Sequence, residues 1–148
     1  MTQTNTNPIT DTRELAIALS RLSKVVTGHR DSYLIQNAST LSLGTVVRHA
    51  EERGIELSLW LGMVNTAIGI YDKESMTRAL GYMIAALSGS FIMHHDYIVW
   101  LAKIGIRNDN VVSMWKSGVS SPKMDIFFTI LKELDGTLSL RVREGAAE

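Results

Sequence analysis

The chain of 148 residues has no cysteine. That excludes a disulfide framework, a thiolate metal site and a thiol nucleophile, and it fits a reducing cytoplasm. No sign of charge dominates: fifteen basic and fifteen acidic side chains leave a formal net charge of zero. A polyanionic partner must therefore be met by locally sorted charge. No apolar run approaches the roughly 18 to 20 residues of a membrane span, and the opening MTQTNTNPITDTRE lacks the basic-then-apolar layout of a signal peptide. Also missing are a Gly-x-Ser-x-Gly elbow, a Ser–His–carboxylate set and a Gly-rich phosphate loop. The expectation is a protein that is not an enzyme, with no catalytic residue and no cofactor. His94 and His95 are adjacent, so on a helix they point about 100° apart. With no third His or Cys nearby, no metal site is expected there. His29 and His49 stand alone and read as surface or loop residues.

What is present is a globular composition, 45% apolar and 20% charged, arranged as helices between short punctuated loops. Residues 1–10 read as a disordered polar tail. Asp11 with Glu14 fits a capping box, followed by an apolar stripe of Leu15, Ala18, Leu19, Leu22 and Val25 that Gly28 ends. His29 to Ile35 provides one or two helical turns, with Asn37 as a left-handed stop. Leu43, Val46, Val47 and Ala50 share one helix face, and Ile55 to Leu59 alternates as a strand. Trp60 to Tyr71 gives no clear signal. Asp72 or Ser75 caps a helix buried through Met76, Ala79, Leu80, Met83 and Leu87. Met76, Met83 and Met93 are also candidates to line an adaptable interface. Asp96 is read as the cap of a short helix from Tyr97 to Lys103. Gly105 begins a turn over 106–110, and Val111 to Lys116 forms another short helix ended by Gly118. Ser121-Pro122 opens a helix with Pro in the first turn, its core stripe being Met124, Phe127, Phe128, Leu131 and Leu134. Thr137 to Val142 alternates as a strand.

An internal repeat organises these elements. Residues 41–59 overlay 122–140 without a gap. Leu43 falls on Met124, Val46 and Val47 on Phe127 and Phe128, and Ala50 on Leu131; both segments close with Leu-Ser-Leu. Two copies of one helical unit, each ending in a short strand, are expected.

The segment from Trp100 to Val142 contains Leu101-Ala102, Gly105, Trp115-Lys-Ser-Gly118, Ser121-Pro122 and the terminal Leu-Ser-Leu. It resembles the core of lambda-repressor/Cro-like (Xre-type) helix-turn-helix regulators, and the likeness covers about residues 75 to 142. Measured from Trp115, the turn glycine stands one residue earlier than in that family. The resemblance implies a mainly α fold, a lambda-repressor-like helix-turn-helix bundle with a short β-strand after each repeat. It divides the chain into 11–71, a degenerate repeat serving dimerisation or partner binding, and 72–143, a DNA-binding domain. Val112 and Trp115 would anchor the recognition helix. Asn108, Asn110 and Ser113 would face bases in a major groove, and Asp109 can accept only from a cytosine amino group. Arg107, Lys116, Ser117 and Lys123 would lie where the family contacts the DNA backbone. From Asp96 to Arg143, seven basic side chains outnumber five acidic ones.

The implied function is a bacterial, cytoplasmic, sequence-specific regulator that binds double-stranded DNA as a homodimer, without a membrane. The alternative is an antitoxin or anti-activator, an interaction module that keeps the fold and binds a toxin or another regulator.

Overall fold

The structure is a computed structural model that describes residues 7–143. The expected disorder of residues 1–6 lies outside that range. The chain runs through α1 (Thr12–Thr27), α2 (Ser32–Gln36), α3 (Leu43–Glu52), β1 (Ile55–Leu61), β2 (Thr66–Ile70) and α4 (Lys73–Gly89). It continues through α5 (His94–Lys103), α6 (Asp109–Ser117), α7 (Met124–Glu133) and β3 (Gly136–Val142). It is mainly helical, with a small antiparallel sheet of order β2-β1-β3. No single helix among the described residues is long and apolar enough to cross a membrane.

Side chains that can satisfy free backbone donors set most helix starts. Asp11 accepts from Glu14 N at 2.8 Å and begins α1. The reciprocal half of that capping box is not made: Glu14 turns outward and accepts from Thr10 N and Oγ1. Asp72 and Ser75 form a full reciprocal box at α4. Three expectations fail at helix ends. Asp96 lies inside the first turn of α5, which starts at His94 after Met93 without a side-chain cap. Pro122 lies outside α7, which starts at Met124; its carbonyl instead accepts from Leu43 N at 2.8 Å. Asn37 is not left-handed but has φ −111°, because a 3₁₀ turn over Ala38–Thr40 carries the chain onward. The helix expected from Val111 begins two residues earlier, since Asn108 caps it by accepting from Asn110 N at 2.9 Å.

One core runs through the whole described chain, from Ile9 to Val142. Ile9 corrects the expected tail: it is buried, and its N–H donates to Leu138 O at 2.7 Å at the edge of β3. The expected stripes of α3 and α4 are buried throughout, and α7 departs only at Phe128, which is half-buried. Met76 and Met83 are therefore core and not interface, and Val25 is exposed. The silent stretch 60–71 is the end of β1, a 3₁₀ turn and β2. Asn65, at φ 50°, makes the reversal between them.

The strand pairing bears directly on the overlay of 41–59 on 122–140. β1 and β3 pair antiparallel with Ser58 opposite Ser139, residues that the overlay makes equivalent. A second, isolated bridge joins Ser42 to Lys123, again an equivalent pair. It is closed by Leu43 N to Pro122 O and Met124 N to Leu41 O, at 2.8 and 2.9 Å. The unit α3–β1 thus faces the unit α7–β3 about a local two-fold axis passing through both pairs.

Candidate nucleic-acid interface

Helices α5 and α6 are joined by a tight turn whose conformation follows from Gly105. Gly105, at φ 96°, lets its own N–H reach Ala102 O while Ile106 N reaches Leu101 O at 2.9 Å. This is the double bond of a glycine-ended helix, and the buried Ile106 side chain seals it. The chain then passes Arg107 and Asn108 and enters α6. Behind α6, Val112 and Trp115 are buried and hold it against α4. Gly118, at φ 82°, ends it.

With that anchoring, Asn110, Ser113, Met114 and Ser117 fall at i, i+3, i+4 and i+7, so they form one stripe on the opposite face. All four are exposed. The stripe presents an amide, two hydroxyls and a thioether, groups able to meet the mixed polar and methyl edges of base pairs. Arg107 is exposed just before the helix, and Lys116 is exposed on its flank. Two of the expected contact residues have local duties. The Asn108 side-chain oxygen is taken by its own cap, which leaves its amide N–H₂ as the group to offer. Ser117 Oγ donates to Met114 O at 3.2 Å. Lys123 is exposed but stands apart from the stripe, at the bridge with Ser42 near the two-fold axis.

Two cations missed in the sequence lie close by. Arg48 and Lys73 line a groove of about 310 Å³ together with Gly44, Gly118, Ser121 and one carboxylate, Glu51. They come from α3 and the first turn of α4, far apart in sequence, so only the packing of the two units reveals them. Apart from Glu51, acid is sparse in the segments that meet here. Of fifteen acidic residues, Asp109 alone falls between Gly105 and Met124, and none falls between Ser32 and Ala50.

The first unit contains a polar cluster that the reading of His49 as an isolated surface residue did not foresee. Asp31, buried, accepts from Leu34 N at 3.4 Å as the cap of α2. It also contacts His49 Nδ1 at 2.6 Å and Arg53 at 3.1 Å. Arg53 Nε donates to the buried Ser23 Oγ at 2.9 Å, and Asp31 N donates to Ser20 Oγ at 3.2 Å. The Tyr33 ring stacks on His49 with centroids 5.3 Å apart. A signal for this cluster exists in the overlay: Asp31, His49 and Arg53 fall on Val112, Ile130 and Leu134. Three apolar positions have turned polar together.

Among the described residues, no group of three or more His, Cys, Asp or Glu side chains could hold a metal ion. No family model matches the chain, and no curated protein or solved structure matches it.

Proposed function

We propose that the protein is a sequence-specific DNA-binding regulator that inserts α6 into a major groove. The observation carrying this reading is the split of α6 into two faces. Val112 and Trp115 lock one face to the core, while Asn110, Ser113, Met114 and Ser117 stand exposed on the other, in a stretch where Asp109 is the sole acid. Asn110 and Ser113 read base edges. Arg107, Lys116, Lys123 and the added cations Arg48 and Lys73 meet phosphates, which give affinity without sequence information.

Two variants separate those roles. The double substitution Lys116→Ala, Lys123→Ala weakens binding to all duplexes alike and lowers the salt slope by about one per lost contact. Asn110→Ala leaves the slope unchanged and relaxes the preference at one base position, a change of about 1–3 kcal/mol in discrimination. Titrations over a range of salt concentrations check both. An unchanged slope in the lysine variant removes those residues from the interface.

A second reading, a protein-interaction module, has one observation in its favour. In the turn between α4 and α5, Ile92 is 98% and Met93 60% exposed, two adjacent large apolar side chains in water. If this knob is the working surface, Ile92→Ser with Met93→Ser abolishes binding to a purified partner while the melting temperature stays unchanged. If α6 is the working surface, the same variant binds duplex as the unaltered chain does.

A further inference from the structure

We infer that the short helix α2 is a second nucleic-acid contact, one that grips the sugar-phosphate backbone beside the segment read by α6. A single chain then spans two half-sites and reads the bases of one. This inference rests on the reading of α6 as the base-contacting helix.

Points related by a two-fold axis lie at equal height along it, so the axis through Ser58/Ser139 and Ser42/Lys123 sets the equivalents of the α6 residues level with α6. The overlay that relates those pairs also places Tyr33 and Leu34 on Met114 and Trp115. Leu34 and Trp115 are both buried, whereas Tyr33 and Met114 are 50% and 38% exposed. The two helices thus bury and expose matching positions. Two helices about a two-fold axis can enter two successive major grooves where their spacing fits the helical repeat of about 34 Å. In this chain the axis is internal.

Helix α2 is also held in place without one of the neighbours its counterpart has. The caps Asp11 and Asp72, and the buried pairs Leu15/Met76, Leu19/Leu80 and Leu22/Met83, align α1 with α4. In that alignment α5 has no counterpart in the first unit. There α2 is fixed by the polar cluster: Asp31, its cap, is tied to His49 and Arg53 of the α3 region, and the Tyr33 ring lies on His49.

The exposed polar side chains along and beside α2 include Arg30, Ser32, Gln36 and Ser39, all able to donate to phosphate oxygens. Asp31, between Arg30 and Ser32, is buried and engaged by His49 and Arg53; Glu52 shares a pocket with Arg30, and no carboxylate follows in the chain from Ser32 to Ala50. Length sets the difference from α6. Five residues of α2 extend about 7.5 Å, against about 13.5 Å for the nine of α6. Such a stub touches a groove's edge but does not run along its floor.

Hydroxyl-radical footprinting of the full chain, on duplexes selected from a random pool, tests the inference. The expected result is backbone protection over two successive turns, about 20 base pairs, with one chain per duplex by sedimentation. Base substitutions then lower affinity in one turn only. The double variant Arg30→Ala, Gln36→Ala keeps its base preference and melting temperature, loses protection of the unread turn, and binds with a salt slope lower by about one. Protection of a single turn, two chains per duplex, or an unchanged footprint and slope in the double variant overturns the second contact while leaving α6 as the reader. Absence of any duplex binding by the unaltered chain overturns both.

Discussion

Asp31 shows how one buried residue can serve two elements at once. It caps α2, and it receives both His49 and Arg53 from the other side of the first unit. Removing the carboxylate leaves the Arg53 guanidinium and the Leu34 N–H without that partner in a site with little access to water. The predicted cost of Asp31→Ala is about 1–3 kcal/mol, measured by denaturant unfolding, and a variant as stable as the unaltered chain would contradict this role. Asp72 gives a second prediction with a pH signature. The Ser75 backbone N–H, then its hydroxyl, with smaller help from Arg78 and Arg143, holds the Asp72 carboxyl below the usual carboxylate range. A carboxyl lowered in the folded state stabilises above its unfolded pKa, near about 4, and loses that contribution as pH falls through its folded value. Asp72→Ala therefore destabilises by about 1 kcal/mol at neutral pH. Its deficit relative to the unaltered chain narrows as unfolding is measured at progressively lower pH below 4.

At the scale of elements, periodic burial was legible and pairing was not. The faces of α3, α4 and α7 could be read because Leu, Val, Met and Phe recur at helical spacing, and β1 and β3 because Leu-Ser-Leu alternates. β2 stayed hidden because its outward positions are Ala67 and Gly69, which carry no strand preference; its pairing with β1 creates it. Helix starts were misplaced where the backbone of another segment intervened, as when Pro122 served the bridge to Leu43 in place of the first turn of α7. The outward placing of Asn110 and Ser113 on α6 was legible from Val112 and Trp115 on its opposite face together with the family likeness. Arg48 and Lys73 were not, since nothing local places α3 beside the start of α4. The cluster of Asp31, His49 and Arg53 spans separated positions and becomes visible only when the two copies are compared position by position.

At the scale of the whole molecule, the two units share one core and one sheet. Leu57 and Leu59 of β1 lie opposite Leu140 and Leu138 of β3, and all four are buried. Neither unit can lose this layer without exposing the other's apolar face, so unfolding should be a single cooperative event. Calorimetry is predicted to give one transition whose van't Hoff and calorimetric enthalpies agree; two resolved transitions would contradict the shared core. Leu138→Ala should lower that single transition as a whole, at a cost of about 2–5 kcal/mol.

The central claim is that α6 reads DNA, and selection from a pool of randomised duplexes at roughly 50 mM salt, where phosphate contacts are least screened, tests it most directly. The account predicts enrichment of an asymmetric site, with one specified half and a neighbouring half of free sequence. Recovery of a pool indistinguishable from the input, with no duplex retained, would contradict it.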